Sequence, residues 1–124
     1  MNRPKIEIPM GDHEGVGPEI VVKTAVAKEI QDLCDLVIIG DRKVLEKATG
    51  ICGVNLQIHS IENVEDGNYQ EGILNVIDLD NIDLEKMEYG KVQGMCGKAA
   101  FEYIKKSVEL AMNHEVDAIA TTPI

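Results

Sequence analysis

Residues 5–19 read KIEIPMGDHEGVGPE and join an alternating apolar stretch to a segment that carries helix-start signals. The loop in this stretch holds Gly11, Gly15 and Gly17, and Pro18 suits the first position of a helix with Gly17 as its N-cap. A glycine-rich turn from strand to helix lets backbone N–H groups approach a ligand, and it aims the helix N-terminus at that ligand. The stretch therefore predicts the opening β-loop-α unit of an α/β fold.

The residues that follow continue the same alternation of strands and helices. Residues 36–40 form a short, fully apolar run ending in glycine, which is typical of a central parallel strand. Asp41 is a predicted cap for a second helix that Gly50 would close. Helical spacing predicts inward positions at Val22, Ala25, Val26 and Ile30 in a first helix over 18–30, and at Val44, Leu45 and Ala48 in the second.

The second half of the chain has two more strand patterns and one long helix pattern. Residues 54–58 alternate and predict a third strand, residues 64–72 are polar and predict a loop, and residues 73–77 predict a fourth strand. Residues 81–97 carry no assignable pattern. Residues 98–114 predict an amphipathic helix, and residues 116–121 predict a last strand. The expected inward face of that helix is Phe101, Ile104, Val108 and Ala111.

Length and composition limit the classes of protein to consider. The 124 residues are enough for one α/β domain, so we expect a single domain over 1–124. Net charge is −10 and no basic patch offsets it, which argues against nucleic acid or an anionic membrane as a partner. The three cysteines (Cys34, Cys52, Cys96) are widely spaced, and no signal peptide or membrane-spanning run occurs. We therefore expect free thiols and a cytoplasmic location.

The candidate binding residues lie in the first loop. Its glycine spacing is neither a dinucleotide fingerprint nor a Walker loop, so a ligand-contacting turn and a purely structural turn both stay open. Asp12 would repel an anion unless it points away or binds a cation or a hydroxyl group. His13 is a possible general base, with an exposed loop histidine as the alternative.

Three residues in the C-terminal third complete the candidates. Lys98, near the start of the long helix, is a possible phosphate contact, with an ordinary surface lysine as the alternative. Thr121 and Thr122 end the last strand, where α/β proteins bind ligands, although their hydroxyls could instead bond the backbone. The other histidines lack a paired-ligand spacing, so we expect no metal site from this chain alone.

Four stretches together resemble the 4-hydroxythreonine-4-phosphate dehydrogenase (PdxA) family. They are residues 10–20 (MGDHEGVGPEI), 89–92 (YGKV), 97–104 (GKAAFEYI) and 116–124 (VDAIATTPI). Isocitrate and isopropylmalate dehydrogenases share a turn similar to the first stretch, whereas the set of four is specific. The resemblance implies a three-layer α/β/α fold with a mostly parallel sheet, like that of those two dehydrogenases, with only the N-terminal portion present.

The resemblance also implies an activity. It implies an NAD-dependent homodimer that uses zinc, magnesium or cobalt to oxidise and decarboxylate a small phosphorylated hydroxy acid, such as 4-phosphohydroxy-L-threonine in pyridoxal phosphate biosynthesis. The family's metal-binding histidines, second domain and C-terminal return would lie outside this chain. The candidate substrate contacts in this chain are therefore Gly11, Asp12, His13, Gly15, Gly17, Lys98, Thr121 and Thr122, and no catalytic or metal-binding residue is identifiable in it.

Three alternatives stay open beside this interpretation. The substrate could be a four-carbon sugar-acid phosphate (threonate or erythronate 4-phosphate), because close relatives of the family degrade sugar acids. The chain could also be a phosphate-binding α/β module, or an inactive fragment without redox chemistry. The family usually has Pro-Ala where this chain has His13-Glu14, which leaves the role of that part of the loop open.

Overall fold

A five-stranded parallel sheet organises the chain, in a computed structural model that describes residues 3–11, 17–80 and 94–121. The strands are β1 (Lys5–Pro9), β2 (Asp35–Gly40), β3 (Gln57–Ile61), β4 (Ile73–Asp78) and β5 (Ala118–Ile119), in the spatial order β3-β4-β2-β1-β5. The helices are α1 (Gly17–Val26), α2 (Lys28–Leu33), α3 (Arg42–Cys52) and α4 (Gly94–Met112), with a short 3-10 turn at Val64–Asp66. The expected α/β class with a parallel sheet is confirmed.

The two central strands are the ones that the sequence patterns describe best. β1 pairs with β2 in parallel from Lys5↔Asp35 to Pro9↔Ile39, and β2 is fully buried over its last four residues. β3 begins later than the alternation at 54–58 predicts. Its pairing with β4 starts at Gln57↔Ile73, so Ile58 and Ile61 are the residues that point into the core.

The first predicted helix is interrupted. At Ala27 the backbone is extended, with φ −68° and ψ 119°, and α2 starts again at the next residue. Val22 and Ala25 are buried as expected, whereas Val26, just before the break, is exposed. The prediction of one helix over 18–30 is therefore wrong, because a residue in the extended conformation cannot continue the ladder of helical hydrogen bonds.

The second helix starts where the sequence predicts and ends later. Asp41 accepts hydrogen bonds from the backbone N–H groups of Lys43 and Val44, at 2.9 and 3.4 Å, which confirms the predicted N-cap. Gly50 lies inside α3, and the helix ends at Gly53, whose φ of 66° is left-handed. Gly53 is the cap because its N–H bonds the last carbonyls in a conformation that glycine adopts at no steric cost.

The connections place helices on both sides of the sheet. Right-handed crossovers from β1 to β2 and from β2 to β3 put α1 and α3 on one face, where these two helices pack together. The crossover from β4 to β5 runs in the opposite direction, so α4 covers β1 and β2 on the other face. None of the helices among the described residues combines the length and apolar character needed to span a membrane.

The predicted inward face of the long helix is wrong at three of its four positions, and only Ala111 is partly buried against the core as expected. The buried side chains of α4 include Tyr103 and Leu110, while Phe101, Ile104 and Val108 are exposed. Both sets have helical spacing, and the periodicity alone does not say which of two apolar stripes meets the sheet. The last strand is also shorter than predicted, because only Ala118 and Ile119 pair with β1.

Candidate functional site

The carboxyl ends of four strands form one edge of the sheet, which is where α/β proteins place ligands. Pro9 pairs with Ile39, and Gly40 pairs with Asp78, so the residues that follow β1, β2 and β4 lie at a similar level. The N–H of Ala120 bonds the carbonyl of Glu7, which continues the β1–β5 register and places Thr121 about level with Pro9. We call this the carboxyl edge.

Tight backbone packing shapes the middle of the carboxyl edge. The N–H of Met10 bonds the carbonyl of Ile39 at 2.9 Å, and Met10 is fully buried. A Cβ added at Gly40 would lie 2.9 Å from the sulfur of Met10, so this glycine leaves the room that the methionine occupies. Gly11 follows with φ 77°, a left-handed conformation that turns the chain away from β1.

The structure describes only some of the residues of the predicted loop site. Gly11 lies two residues after the end of β1, and Gly17 is the first residue of α1 instead of the residue before it. Glu19 lies in the first turn of α1, where its charge complements the positive end of the helix dipole. The predicted contacts at Asp12, His13, Gly15 and Thr122 lie outside the described residues.

The two remaining candidates approach the carboxyl edge from α4 and β5. Lys98 is an exposed residue near the N-terminal end of α4. In a parallel βαβ crossover the helix runs antiparallel to the strands, so this end of α4 lies toward the carboxyl edge. Thr121 is exposed directly after β5. The geometry thus places Gly11, Gly17, Lys98 and Thr121 at the carboxyl edge, with Gly17 and Lys98 on helices that cover opposite faces of the sheet.

Three carboxylates cluster at the carboxyl edge, and sequence reasoning assigned them no joint role. One oxygen each of Asp41, Asp78 and Asp80 lies within 4.8 Å of the others. Asp41 directly follows β2, while Asp78 ends β4. The available signal was that an aspartate ends or follows each of two apolar strands, because parallel strands bring such residues together.

This cluster does not fit a resident metal ion. The ammonium group of Lys43 bonds the carboxylate of Asp80 and lies 3.6 Å from Asp41. Asp41 caps α3, and one oxygen of Asp78 accepts the N–H groups of Arg42 and Asp80, at 3.1 and 3.0 Å. The ammonium group of Lys43 occupies the position beside Asp41 and Asp80 that a cation would take, and it offsets part of the negative charge of the three acids. The hydrogen bond from Lys43 to Asp80 is the main cause that raises the pKa of Lys43.

One buried carboxylate lies deeper in the sheet. Glu7 is in the middle of β1 with no exposed surface, and neither of its carboxylate oxygens has a hydrogen-bond partner among the described residues. Burial, and to a smaller extent the charge of Glu115, raises the pKa of Glu7 from 4.5 to about 7. Glu7 therefore takes up a proton far more readily than an ordinary glutamate.

Two cavities lie at the opposite edge of the sheet, near the amino ends of the strands. One of about 660 Å³ is lined by Arg3, Asp35, Tyr69 and Asn75 among others. A second of about 430 Å³ lies near Lys5 and shares Arg3 and Asp35. Arg3 bonds the carboxylate of Asp35 at 2.9 Å and nearby carbonyl groups, so it is already engaged. These cavities are separated from the carboxyl edge by the length of the strands.

Comparison with known proteins gives a consistent family assignment. The family model described as "Pyridoxal phosphate biosynthetic protein PdxA" matches residues 32–124. A relative from Fusobacterium nucleatum, provisionally named a D-threonate 4-phosphate dehydrogenase, is 75% identical over 122 residues, covering 98% of this chain and 37% of the relative. A relative from Clostridium botulinum with the same provisional name is 55% identical, covering 99% of this chain and 37% of its own length.

Solved structures agree with the fold. A 4-hydroxythreonine-4-phosphate dehydrogenase from Burkholderia phymatum superposes with a TM-score of 0.95 at 39% identity, covering 99% of this chain and 37% of that chain. The enzyme of the same name from Klebsiella pneumoniae superposes with a TM-score of 0.89 at 28% identity, with coverage of 97% and 37%. The chain thus spans about 37% of the length of the relatives that it matches.

Proposed function

Because the chain belongs to the PdxA family, we propose that it forms the substrate-binding N-terminal part of a dehydrogenase that acts on D-threonate 4-phosphate. The observation that carries this proposal is the 75% identity, over 98% of the chain, to a relative provisionally named for that substrate. The activity belongs to the whole enzyme, and this chain would contribute one wall of its site.

The choice between two substrates rests on how similar this chain is to the relatives named for each of them. The solved relatives named for 4-hydroxythreonine 4-phosphate are 39% and 28% identical to this chain, well below the two relatives named for threonate 4-phosphate. Both substrates carry a phosphate and a secondary hydroxyl group on a four-carbon acid. The runner-up is therefore 4-phosphohydroxy-L-threonine, which would place the enzyme in pyridoxal phosphate biosynthesis.

The residues at the carboxyl edge are the proposed substrate contacts. Backbone N–H groups of Gly11, Gly17 and Glu19 would donate hydrogen bonds to phosphate oxygens, together with the ammonium group of Lys98. The hydroxyl group of Thr121, at the end of β5, would donate a hydrogen bond to the substrate. Support comes from their common placement at this edge of the sheet. The proposal extends to the residues outside the described ranges: Asp12, His13, Gly15 and Thr122.

The redox groups are proposed for the whole enzyme and not for these residues. NAD would accept the hydride from the substrate carbon that bears the secondary hydroxyl, and a divalent ion would polarise the oxygen on that carbon. The cavities at the amino edge do not fit a dinucleotide that reacts at the carboxyl edge, and Lys43 already contacts Asp41 and Asp80 in the acidic cluster. What the described residues supply is therefore positioning of the substrate.

The free thiols of Cys34 and Cys52 support a reducing compartment such as the cytoplasm, and a homodimer stays a prediction.

A chimera tests this function in a complete enzyme. This chain would replace the matching part of the Fusobacterium relative, and NADH formation would be followed with each of the two substrates and added zinc or magnesium. We expect a higher kcat/KM with D-threonate 4-phosphate. A preference for 4-phosphohydroxy-L-threonine would contradict the substrate assignment. Phosphate binding by the 124-residue chain, without turnover by the chimera, would favour a binding module instead.

A matched pair of lysine variants tests the contact from α4. Lys98→Ala is expected to raise KM for the phosphorylated substrate by about tenfold or more, since a charge-assisted hydrogen bond contributes roughly 1.5–3 kcal/mol. Lys105→Ala removes the same charge from an exposed position farther along the helix and should leave KM unchanged. Equal effects of the two substitutions would show that only net charge matters.

A further inference from the structure

Hydrogen bonds fix one wall of the larger cavity at the amino edge. The cavity has a volume of about 660 Å³, within the range of about 300–1,000 Å³ that is usual for small-molecule sites. This wall is formed by residues 67–71, which connect the 3-10 turn to β4 and contain no helix or strand. The buried side chain of Asn75 accepts the N–H of Asn68 and donates to its carbonyl, both at 2.8 Å. The connection is therefore held in one conformation from inside the fold.

A tyrosine ring belongs to the same wall. The hydroxyl group of Tyr69 donates a hydrogen bond of 2.6 Å to the carbonyl of Val64, and the ring is half-buried. A Cβ added at Gly67 would lie 2.6 Å from the ring atom Cζ, so this glycine leaves the room that the ring occupies. The ring thus gives the cavity an apolar surface with a fixed position.

Apolar side chains line the cavity from three other elements. They are Ala25 on α1, Leu36 on β2, and Ile73 and Leu74 on β4. Such a lining favours the hydrocarbon part of a ligand, because binding removes apolar surface from water on both sides.

The charged groups of the cavity are mainly acidic. The carboxylates of Asp32, Asp35 and Glu71 line it, and Arg3 is the only cationic side chain that does so among the described residues. Arg3 is paired with Asp35 and bonds three carbonyl groups at the end of α2, so its charge is already offset. Asp32 and Glu71 are exposed and form no ion pair with any described residue. This arrangement repels a phosphorylated acid and attracts a cation.

We propose that this cavity is a second ligand site, which binds a small organic cation with an ammonium group on a short hydrocarbon body. The apolar lining and the Tyr69 ring would contact the hydrocarbon, while Asp32 and Glu71 would contact the ammonium group. The ring already attracts a cation from the neighbouring cavity, since the ammonium group of Lys5 lies 5.9 Å from its centre. The inference is independent of the substrate proposed above, because the two sites lie at opposite ends of the strands.

Amide NMR spectra of the 124-residue chain test the site, with 1,4-diaminobutane as the probe. We expect saturable shifts at Leu36, Asn68 and Tyr69, with a Kd of about 1–10 mM because the probe has few atoms. Butylamine should act on the same residues. The neutral 1-butanol and the anion butyrate have the same number of carbons and should bind at least about fivefold more weakly than butylamine. Equal binding of 1-butanol and butylamine, or tighter binding of butyrate, would overturn the proposal.

A matched pair of double variants separates this cavity from general attraction to an acidic protein. Asp32→Asn combined with Glu71→Gln should weaken the binding of 1,4-diaminobutane about tenfold, since both unpaired carboxylates are lost. Glu62→Gln combined with Glu109→Gln removes two exposed carboxylates that do not line the cavity and should leave the Kd unchanged. Equal losses in the two double variants would show that binding follows the net charge of −10, and the proposal would be wrong.

A peptide ligand is the remaining competitor. If a lysine-containing peptide of about ten residues bound tenfold more tightly than 1,4-diaminobutane at the same amides, the cavity would belong to a protein partner and the small-molecule assignment would fail. If the 124-residue chain aggregates, calorimetry of the chimera described above compares the same probes and double variants. The absence of binding there would contradict the proposal whether or not the chimera turns over its substrate.

Discussion

Burial in the centre of β1 and, to a smaller extent, the negative charge of Glu115 beyond the end of α4 disfavour the ionised form of Glu7. Glu7 is fully buried, its oxygens have no partner among the described residues, and its pKa is raised from 4.5 to about 7. The folded state therefore holds a proton that the unfolded chain loses at lower pH. The stability that this proton provides is complete below about pH 4.5 and disappears as the pH rises through about 7.

The first prediction is that Glu7→Gln stabilises the protein at neutral to alkaline pH. At about pH 8 the wild-type carboxylate is ionised with no hydrogen-bond partner among the residues that the structure describes, and the shift corresponds to about 3 kcal/mol. Urea unfolding from about pH 5 to about pH 8 should show a stability loss in the wild type that the variant lacks. Glu65→Gln, at an exposed position, is the control for the charge change. Parallel pH profiles for wild type and Glu7→Gln would contradict the assignment.

Removal of the α3 cap should destabilise the fold. Asp41→Ala leaves two backbone N–H groups without their acceptor, and we expect a loss of about 1–2 kcal/mol in free energy of unfolding. Asp41→Asn keeps a capping oxygen and should recover most of this loss. Chemical denaturation of the three proteins measures the difference. If alanine and asparagine had equal effects, the charge balance with Lys43 would matter more than the cap.

Two glycines in and after α3 should respond to alanine with opposite signs. Gly50 lies within the helix and a Cβ there meets nothing within 4 Å, so Gly50→Ala should stabilise by about 0.5–1 kcal/mol. Gly53 also has space for a Cβ, but its φ of 66° makes Gly53→Ala cost about 1 kcal/mol. Thermal unfolding of both variants tests where the helix ends. The reverse order of stability would restore Gly50 as the cap.

The orientation of α4 predicts unequal effects of truncating two aromatic residues. Tyr103 is fully buried, and Tyr103→Ala should cost about 3–5 kcal/mol. Phe101→Ala removes an exposed side chain and should change the stability of the 124-residue chain by less than about 0.5 kcal/mol. Denaturant titration of both variants provides the comparison. A large loss for Phe101→Ala would mean that the helix packs with the face that its sequence periodicity first suggested.

The sequence alone was sufficient to predict structure where a single residue type or a short run of residues decides it. Asp41 as a helix cap follows from the hydrogen-bonding capacity of its side chain, and residues 36–40 as a buried strand follow from an uninterrupted apolar run. The end of α3 was not predicted, since Gly50 and Gly53 are both plausible caps by composition. Only the left-handed backbone at Gly53 distinguishes them.

The position of the candidate site at the carboxyl edge was predictable from the sequence, whereas only some of the residues that meet there were. The glycines of the first loop and the threonine after β5 point to the carboxyl ends of strands, and the strand register places Gly11 and Thr121 there. The cluster formed by Asp41, Asp78 and Asp80 was not predicted, nor was its pairing with Lys43. These residues are far apart in sequence and meet through the order of the strands.

Periodicity and residue type were enough to assign the α/β class, the central strands and the start of α3, because these depend on interactions within a few residues. Which face of α4 packs against the sheet, how Glu7 comes to be buried in β1, and which acids meet at the carboxyl edge depend on contacts between distant segments. The strand order β3-β4-β2-β1-β5 decides those contacts, since it sets which strands α4 covers and which strand ends adjoin. A one-dimensional pattern carries no information about that order.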